Sequence, residues 1–358
     1  MQAPEASTLV RMQPPHRFLN RIRFAGSFLL VFLLASCDRS IVNRPDTPPD
    51  QILLYIDASI PQPQVQSLTQ ALGAPVRYLG RLETPFRVTP LALVDASLLR
   101  GAATLVAVFA HEPGVAQNAA LTSLPQTALI EQYSRGEDDS LRTWSLYENA
   151  YLLQQTLITA QISTAATVDA AAACGRDLRD SLERSQVRHR RQRLRAAPGA
   201  AALPRKTTRG LFEVLVPEGY AWSDTSSGWP QSVQIAIARP TRVVTVFWLE
   251  DASADWLQSR PFLVGMLRDA MWRLQRDRLE EDSVEWLPGV DGSLEMRAIW
   301  QNPDRIAGGP LHSRFVYDAS RQRLYGVQSL VFLPGADKHR AMREALAIAS
   351  TFSIVEPY

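Results

Sequence analysis

A short apolar run near the N-terminus decides which part of this chain can fold as a domain. Arg17, Arg21 and Arg23 precede the stretch Phe24 to Leu34, whose core, Phe28 to Leu34, carries no polar side chain. A helix that crosses a bilayer needs about 20 apolar residues, and this run is roughly half that length. A charged segment followed by a short apolar one has the form of an export signal. The run ends in Leu34-Ala35-Ser36-Cys37, a close match to the box at which bacterial lipoprotein precursors are lipidated and then cut. The expectation is a signal peptide over residues 1–36, cleavage before Cys37, and diacylglycerol on the Cys37 thiol. An ordinary secretory signal beside an incidental cysteine is the alternative. Residues upstream of Arg17 are polar for such a signal, and a start at Met12 would give a more usual length.

Cleavage there changes what the rest can be. The segment removed holds four arginines and one glutamate, so 34 basic residues face 35 acidic ones in what remains. A chain this close to neutral has no global field to attract nucleic acid, and no nucleic-acid partner is expected. Cys174 is then the only other cysteine, and an intramolecular disulfide needs two. Stability must come from apolar cores, which 46% hydrophobic residues over the chain can supply. The 322 residues that remain are long enough for two domains.

Residues 37–50 carry the lipidated cysteine and a proline-rich tether. Ile52 to Ile56 reads as a buried strand, and Val65, Leu68 and Leu72 follow at helical spacing before Gly73. Thr104 to Ala110 and Leu152 to Ala160 are further strand candidates, and Thr164 to Arg195 turns helical. Residues 51–195 form the expected N-terminal domain, 196–208 a small-residue linker, and 209–358 the C-terminal domain. In the latter, Leu211 to Val216 reads as a strand, and Val233 to Ala238 and Val243 to Leu249 flank a turn as a hairpin. Leu263, Met266, Leu267, Ala270, Met271 and Leu274 predict an amphipathic helix over 255–280. Strands follow at Leu294 to Trp300, Leu311 to Tyr317 and Leu324 to Phe332, then a last helix that Asp337 can cap. The order predicts an α+β protein of two domains, each a mainly antiparallel sheet with helices packed on it.

Catalytic signatures are sparse. No two of His16, His111, His189, His312 and His339 lie three to five residues apart, and His111-Glu112 sits in a Pro-Gly context that does not continue as a zinc motif. The nucleophile-elbow, P-loop and dinucleotide patterns are absent, and no cofactor or metal is expected. Glu280, Glu281, Asp282 and Glu285 read as a solvated helix end, with carboxylate catalysis as the alternative. Arg184, Arg188, His189, Arg190, Arg191, Arg193 and Arg195 follow Asp177, Asp180 and Glu183, the order a helix dipole favours. They read as a solvated helix end, with contact to anionic headgroups as the alternative. Of Trp222, Trp229, Trp248, Trp256, Trp272, Trp286 and Trp300 most read as core, because Trp248, Trp272 and Trp300 fall in periodic apolar segments; exposed on one face, such residues could stack sugars or grip a peptide.

Several short segments together resemble a family. Phe247-Trp248, Arg268-Asp269, Ala298-Ile299-Trp300 before Gly308-Gly309-Pro310-Leu311, and Ala349-Ser350-Thr351-Phe352 are similar to uncharacterised envelope lipoproteins of Bacteroidota and their relatives. Leu82-Glu83-Thr84-Pro85-Phe86 resembles that family's Pro-Glu-Pro-Phe segment, and Leu311 replaces a Phe after the Gly-Gly-Pro turn. The family is a domain of unknown function, so the resemblance implies an envelope lipoprotein and carries over no catalytic residue. The expected function is a lipid-anchored binding or scaffolding module of the cell envelope. Its partners would be the membrane, through lipid on Cys37, and an envelope protein or glycan. An envelope hydrolase using carboxylates or a lone serine is the alternative.

Overall fold

Three apolar runs in the first half of the chain lie side by side in one sheet, buried on both faces. A computed structural model describes residues 50–78, 81–91, 103–111, 129–135, 142–148, 155–224, 231–238, 241–289 and 292–356. The expected signal peptide, Cys37 and the tether up to residue 49 fall outside these residues. The chain divides into two compact units. An N-terminal unit takes described residues up to Ala74 and Thr84–Ser185, and a C-terminal unit takes Pro75–Glu83 and the chain from Gln186 onward. Helices and sheets in both make the protein α+β.

The N-terminal unit is built from β1 (Gln51–Ile56), α1 (Gln62–Leu72), β4 (Arg87–Leu91), β5 (Thr104–His111), β6 (Leu129–Arg135), β7 (Arg142–Glu148), β8 (Thr156–Ser163) and the first part of α2 (Val168–Ala196); β2 (Val76–Tyr78) and β3 (Arg81–Glu83) form a hairpin that belongs to the other unit. Its sheet runs β4-β1-β5-β8-β7-β6. The pairings among β4, β1, β5 and β8 are parallel, and those of β8 with β7 and β7 with β6 antiparallel. This sheet is therefore mixed rather than mainly antiparallel. The reason lies in its central strands: Leu53 and Leu54, Leu105 and Val106, and Leu157 and Ile158 are all buried although neighbours in sequence point to opposite faces. Strands buried on both faces suit parallel pairing. Leu68, Leu72, Ala171, Leu178 and Leu182 of the two helices join Ile52, Leu54, Val106 and Ile158 in one core. The helices touch because residue 175 is glycine; a β carbon there would strike the Leu68 carbonyl oxygen.

In the C-terminal unit seven strands pair antiparallel throughout: β9 (Ala221–Asp224), β10 (Gln231–Ala238), β11 (Thr241–Leu249), β12 (Arg278–Pro288), β13 (Leu294–Asn302), β14 (Ala307–Asp318) and β15 (Arg323–Phe332). Their order is β9-β10-β11-β15-β14-β13-β12. Alternation along β11 sends Val244, Val246 and Trp248 to one face, where Met342, Ala345 and Ile348 of α4 (His339–Ala349) cover them. Phe247 goes to the other, with Leu311 and Phe315, under Leu263, Met266, Leu267 and Ala270 of α3 (Arg260–Gln275). Each Val, Leu, Ile, Met or Phe among them contributes about 1.5–3 kcal/mol on burial. Gly308-Gly309-Pro310 is not a turn but part of β14, and a β carbon on Gly309 would run into the Val331 carbonyl oxygen.

Four details depart from the periodicity. The helix expected over 255–280 is a single turn, Asp255–Gln258, a break at Ser259, and then α3, which stops when Arg276 takes a left-handed conformation. Residues 278–280 already belong to β12, an edge strand whose bulge between Glu280 and Glu285 breaks the alternation. Asp337 does not cap α4; the Lys338 N–H donates to Glu83 from the β3 strand instead. Within residues 196–208, Leu203 enters the C-terminal core and Ala201–Ala202 pairs with Leu215–Val216.

Candidate functional site

The apolar stripe of α3 faces the sheet, so residues out of phase with it, Arg268, Asp269 and Trp272, face outward. Trp272 is 38% exposed. The left-handed residue Arg276 donates its N–H to the Met271 and Trp272 carbonyls and turns the chain back. That turn brings Arg276 and Arg278 against the same indole, at 5.0 Å and 5.6 Å from the ring centroid. Each contact of this kind is worth about 0.5–1 kcal/mol at an exposed site. Arg268, Asp269, Trp272, Asp277, Arg278 and Leu279 line an open hollow of about 370 Å³.

The charges around the hollow are unevenly committed. Arg268 donates to Glu281 at 3.1 Å and lies 3.6 Å from Asp269, and the hydrogen bond to Glu281 holds its guanidinium above the ordinary value. Asp277 is 3% exposed and accepts a hydrogen bond from Asn302 Nδ2 at 2.7 Å. Burial pushes its carboxyl up to about 6, against the opposing pull of Asn302 and Arg305. Asn302 also donates to the Gln275 carbonyl at 3.0 Å and accepts from the Arg305 N–H, tying the end of α3 to the turn between β13 and β14. That turn presents Ile306, 94% exposed and held at φ 50°. A β-branched side chain in the left-handed region is strained, and such outliers gather at functional positions.

This arrangement is suited to recognition. Indole and guanidinium groups dominate the energetics of protein contacts, and here Arg276 and Arg278 lie against the Trp272 indole with Arg268 in the same lining. Hydrolysis by paired carboxyl groups needs two acids free to work. Here Asp269 and Glu281 answer Arg268, leaving Asp277 as the deep acid.

The residues singled out in the sequence scatter. Cys174 is buried in the N-terminal core, and His111 closes β5 while Glu112 is outside the described residues. His189 is buried on α2, His312 lies 3.2 Å from Glu295 and His339 lies 3.9 Å from Glu83. Among the described residues no three His, Cys, Asp or Glu side chains converge as metal ligands, and no helix is long and apolar enough to cross a membrane. Glu280, Glu281, Asp282 and Glu285 stand on β12 rather than at a helix end. Trp248 and Trp300 are core residues as expected, whereas Trp272 is not. Its phase could have told: it sits beside Met271, a step off the inward series. Asp277 and Asn302 left no such trace.

Residues 274–351 match the family described as Domain of unknown function (DUF4837). Asp277, Arg278, Asn302 and Ile306 fall within the matched stretch, and Trp272 just before it. No curated protein matches the chain. Among solved structures, a point mutant of the protein Mog1 and the Saccharomyces cerevisiae Ran-binding protein Mog1p are each 13% identical over 44% of this chain and 96% of theirs, at a TM-score of 0.30.

Proposed function

We propose that this protein is a lipid-anchored component of a bacterial cell envelope that binds a protein partner through the hollow on its C-terminal unit. The observation that carries the binding site is the half-exposed Trp272 indole flanked by Arg276 and Arg278. Indole and guanidinium are the groups most often found at the energetic centre of protein interfaces. Ile306, exposed and strained, adds an apolar anchor. The lipid anchor rests on the run of Arg17, Arg21 and Arg23, the apolar core and Leu34-Ala35-Ser36-Cys37. On this reading the protein stands with the Bacteroidota envelope lipoproteins that its motifs resemble.

Two experiments test the two halves. A photo-crosslinking residue at Arg305 is expected to give a discrete adduct in cells that Trp272→Ala removes while the melting temperature stays within a degree or two. An adduct indifferent to Trp272→Ala overturns the site. Cys37→Ala is expected to abolish incorporation of labelled acyl lipid and membrane retention, and persistence of both overturns the anchor.

One observation favours the alternative, an envelope hydrolase: Asp277 carries a carboxyl near pKa 6 in the wall of the hollow. A general acid of that kind would make turnover of an envelope ester or glycoside depend on it. Asp277→Asn, which keeps the hydrogen bond from Asn302, would then abolish turnover without loss of fold.

A further inference from the structure

Asp277 lies between Arg276 and Arg278 in the chain, yet it pairs with neither. Asp277 and Leu279 turn inward, 3% and 8% exposed, while the two arginines stand in solvent. Asp277 accepts from the Asn302 carboxamide at 2.7 Å. Arg276 and Arg278 lie instead over the Trp272 indole, their guanidinium carbons 5.0 Å and 5.6 Å from the ring centroid. Among the described residues no carboxylate is within ion-pair reach of either. Arg268, in the same lining, is differently placed, since Glu281 at 3.1 Å and Asp269 at 3.6 Å already answer it.

A group packed against the exposed part of the indole therefore comes within reach of two guanidiniums that have no carboxylate of their own. A guanidinium over an aromatic face keeps N–H groups in its own plane for a carboxylate. A basic partner would meet like charge there. We propose that the partner segment seated in the hollow is acidic, setting an apolar side chain on the Trp272 indole and carboxylates on Arg276 and Arg278, and that protonation of Asp277 strengthens its binding. This inference rests on the reading of the hollow as a protein-binding site.

Asp277 enters because it lines the hollow and its carboxyl is pushed up to about 6 by burial. Asn302 and Arg305 act on it from the turn after β13, and it shares the hollow with Arg268, Asp269 and Trp272 of α3 and with Arg278 and Leu279 of β12. No histidine is among them. Above that value the carboxylate of Asp277 repels a carboxylate brought into the hollow. Below it the neutral form does not, while glutamates of the partner, with an ordinary value of about 4.3, stay charged at pH 5.5.

The test uses the full mature chain with Cys37→Ala, so that no acyl chain contributes, and reads the indole N–H resonance of Trp272, identified by its loss in Trp272→Phe. The probes are the peptide acetyl-Glu-Leu-Glu-amide and its neutral counterpart acetyl-Gln-Leu-Gln-amide. The acidic peptide is expected to shift that resonance saturably, to bind roughly ten-fold tighter than the neutral one, and to bind about three-fold tighter at pH 5.5 than at pH 7.5. Arg276→Asn, which suits the left-handed backbone at that position, combined with Arg278→Gln is expected to erase the preference with the melting temperature within a degree or two. Asp277→Asn is expected to erase the pH dependence. No saturable shift, equal affinities for the two peptides, or a preference that survives the double substitution overturns the acidic partner. Equal affinities at the two pH values overturn the part given to Asp277. In cells the adduct formed from Arg305 separates this inference from the reading beneath it. An adduct that needs Trp272 but is indifferent to Arg276→Asn with Arg278→Gln keeps the binding site and overturns its acidic ligand, whereas one indifferent to Trp272→Ala overturns the site itself.

Discussion

Two carboxyl groups of the C-terminal unit are almost wholly shielded from water, and their surroundings are opposite. Glu83, 2% exposed, meets the N-terminal end of α4: it accepts the Lys338 amide N–H at 2.6 Å and the Lys338 ammonium at 3.2 Å. Asp277, 3% exposed, follows the C-terminal end of α3 and accepts from the neutral carboxamide of Asn302. A helix is positive at the end Glu83 touches and negative at the end Asp277 follows. Burial pushes Asp277 up to about 6. Equal depth thus comes with different partners: a backbone N–H and an ammonium for Glu83, a neutral carboxamide for Asp277. The one is a structural clasp, and the other borders the hollow that we assign to recognition.

The comparison breaks most readily at Glu83. Removing one partner of a buried ion pair leaves the other charged and desolvated, at a cost of about 3–5 kcal/mol. Glu83→Ala is expected to lose that much in urea unfolding, because Lys338 is 6% exposed and, among the described residues, is left with the Ala336 carbonyl at 3.3 Å. Glu83→Leu with Lys338→Met is expected to restore most of it. A loss below about 1 kcal/mol for Glu83→Ala would mean that the clasp is ornamental.

That clasp also marks the limit of what the residues disclose in order. Glu83 and Lys338 are 255 positions apart, and no local pattern tells a short hairpin near residue 80 that it belongs with the last helix. By contrast β1, β5, α1, the inner face of α3 and the strands from 294 to 332 follow from periodicity, because each buries a whole face of apolar residues. The strands β4, β6 and β7 escaped it: β4 is only half-buried and contains Pro90, and polar residues interrupt the apolar ones in the other two. β12 hid behind its own bulge and acidic residues, which are what an edge strand uses to avoid pairing with another chain. At the hollow, Arg268-Asp269 stood out only as a short resemblance. Trp272 stands among apolar residues and only its phase, a step off the inward series, sets it apart, while Asp277 is one more polar residue after a helix.

Asp277 sharpens the comparison through pH. Its folded value of about 6 lies above the ordinary value of 3.8, so the folded state binds the proton more tightly. Stability therefore falls as pH rises from about 4 to about 6 and stays reduced above that, by an amount of order 2 kcal/mol. Asp277→Asn mimics the protonated form and keeps the acceptor for Asn302. It is expected to match the unsubstituted protein near pH 4 and to exceed it by that amount at pH 7.5. Parallel stability curves for the two proteins across this range would refute the assignment of the proton to Asp277.

The smallest effect tests whether the turn that Asn302 ties to Asp277 serves folding at all. Ile306 closes the turn that Asn302 ties to Asp277, yet it is 94% exposed and held at φ 50°. A side chain that buries nothing cannot repay a left-handed backbone, which costs about 1 kcal/mol for a β-branched residue. Asparagine tolerates that conformation. Ile306→Asn is thus expected to raise stability by roughly 0.5–1 kcal/mol in thermal or urea unfolding, while weakening the crosslink formed from the neighbouring Arg305. A gain in stability joined to a loss of contact is the signature of a residue retained for a partner. Destabilisation by Ile306→Asn would instead place Ile306 among the groups that hold the turn, and remove it from the binding surface.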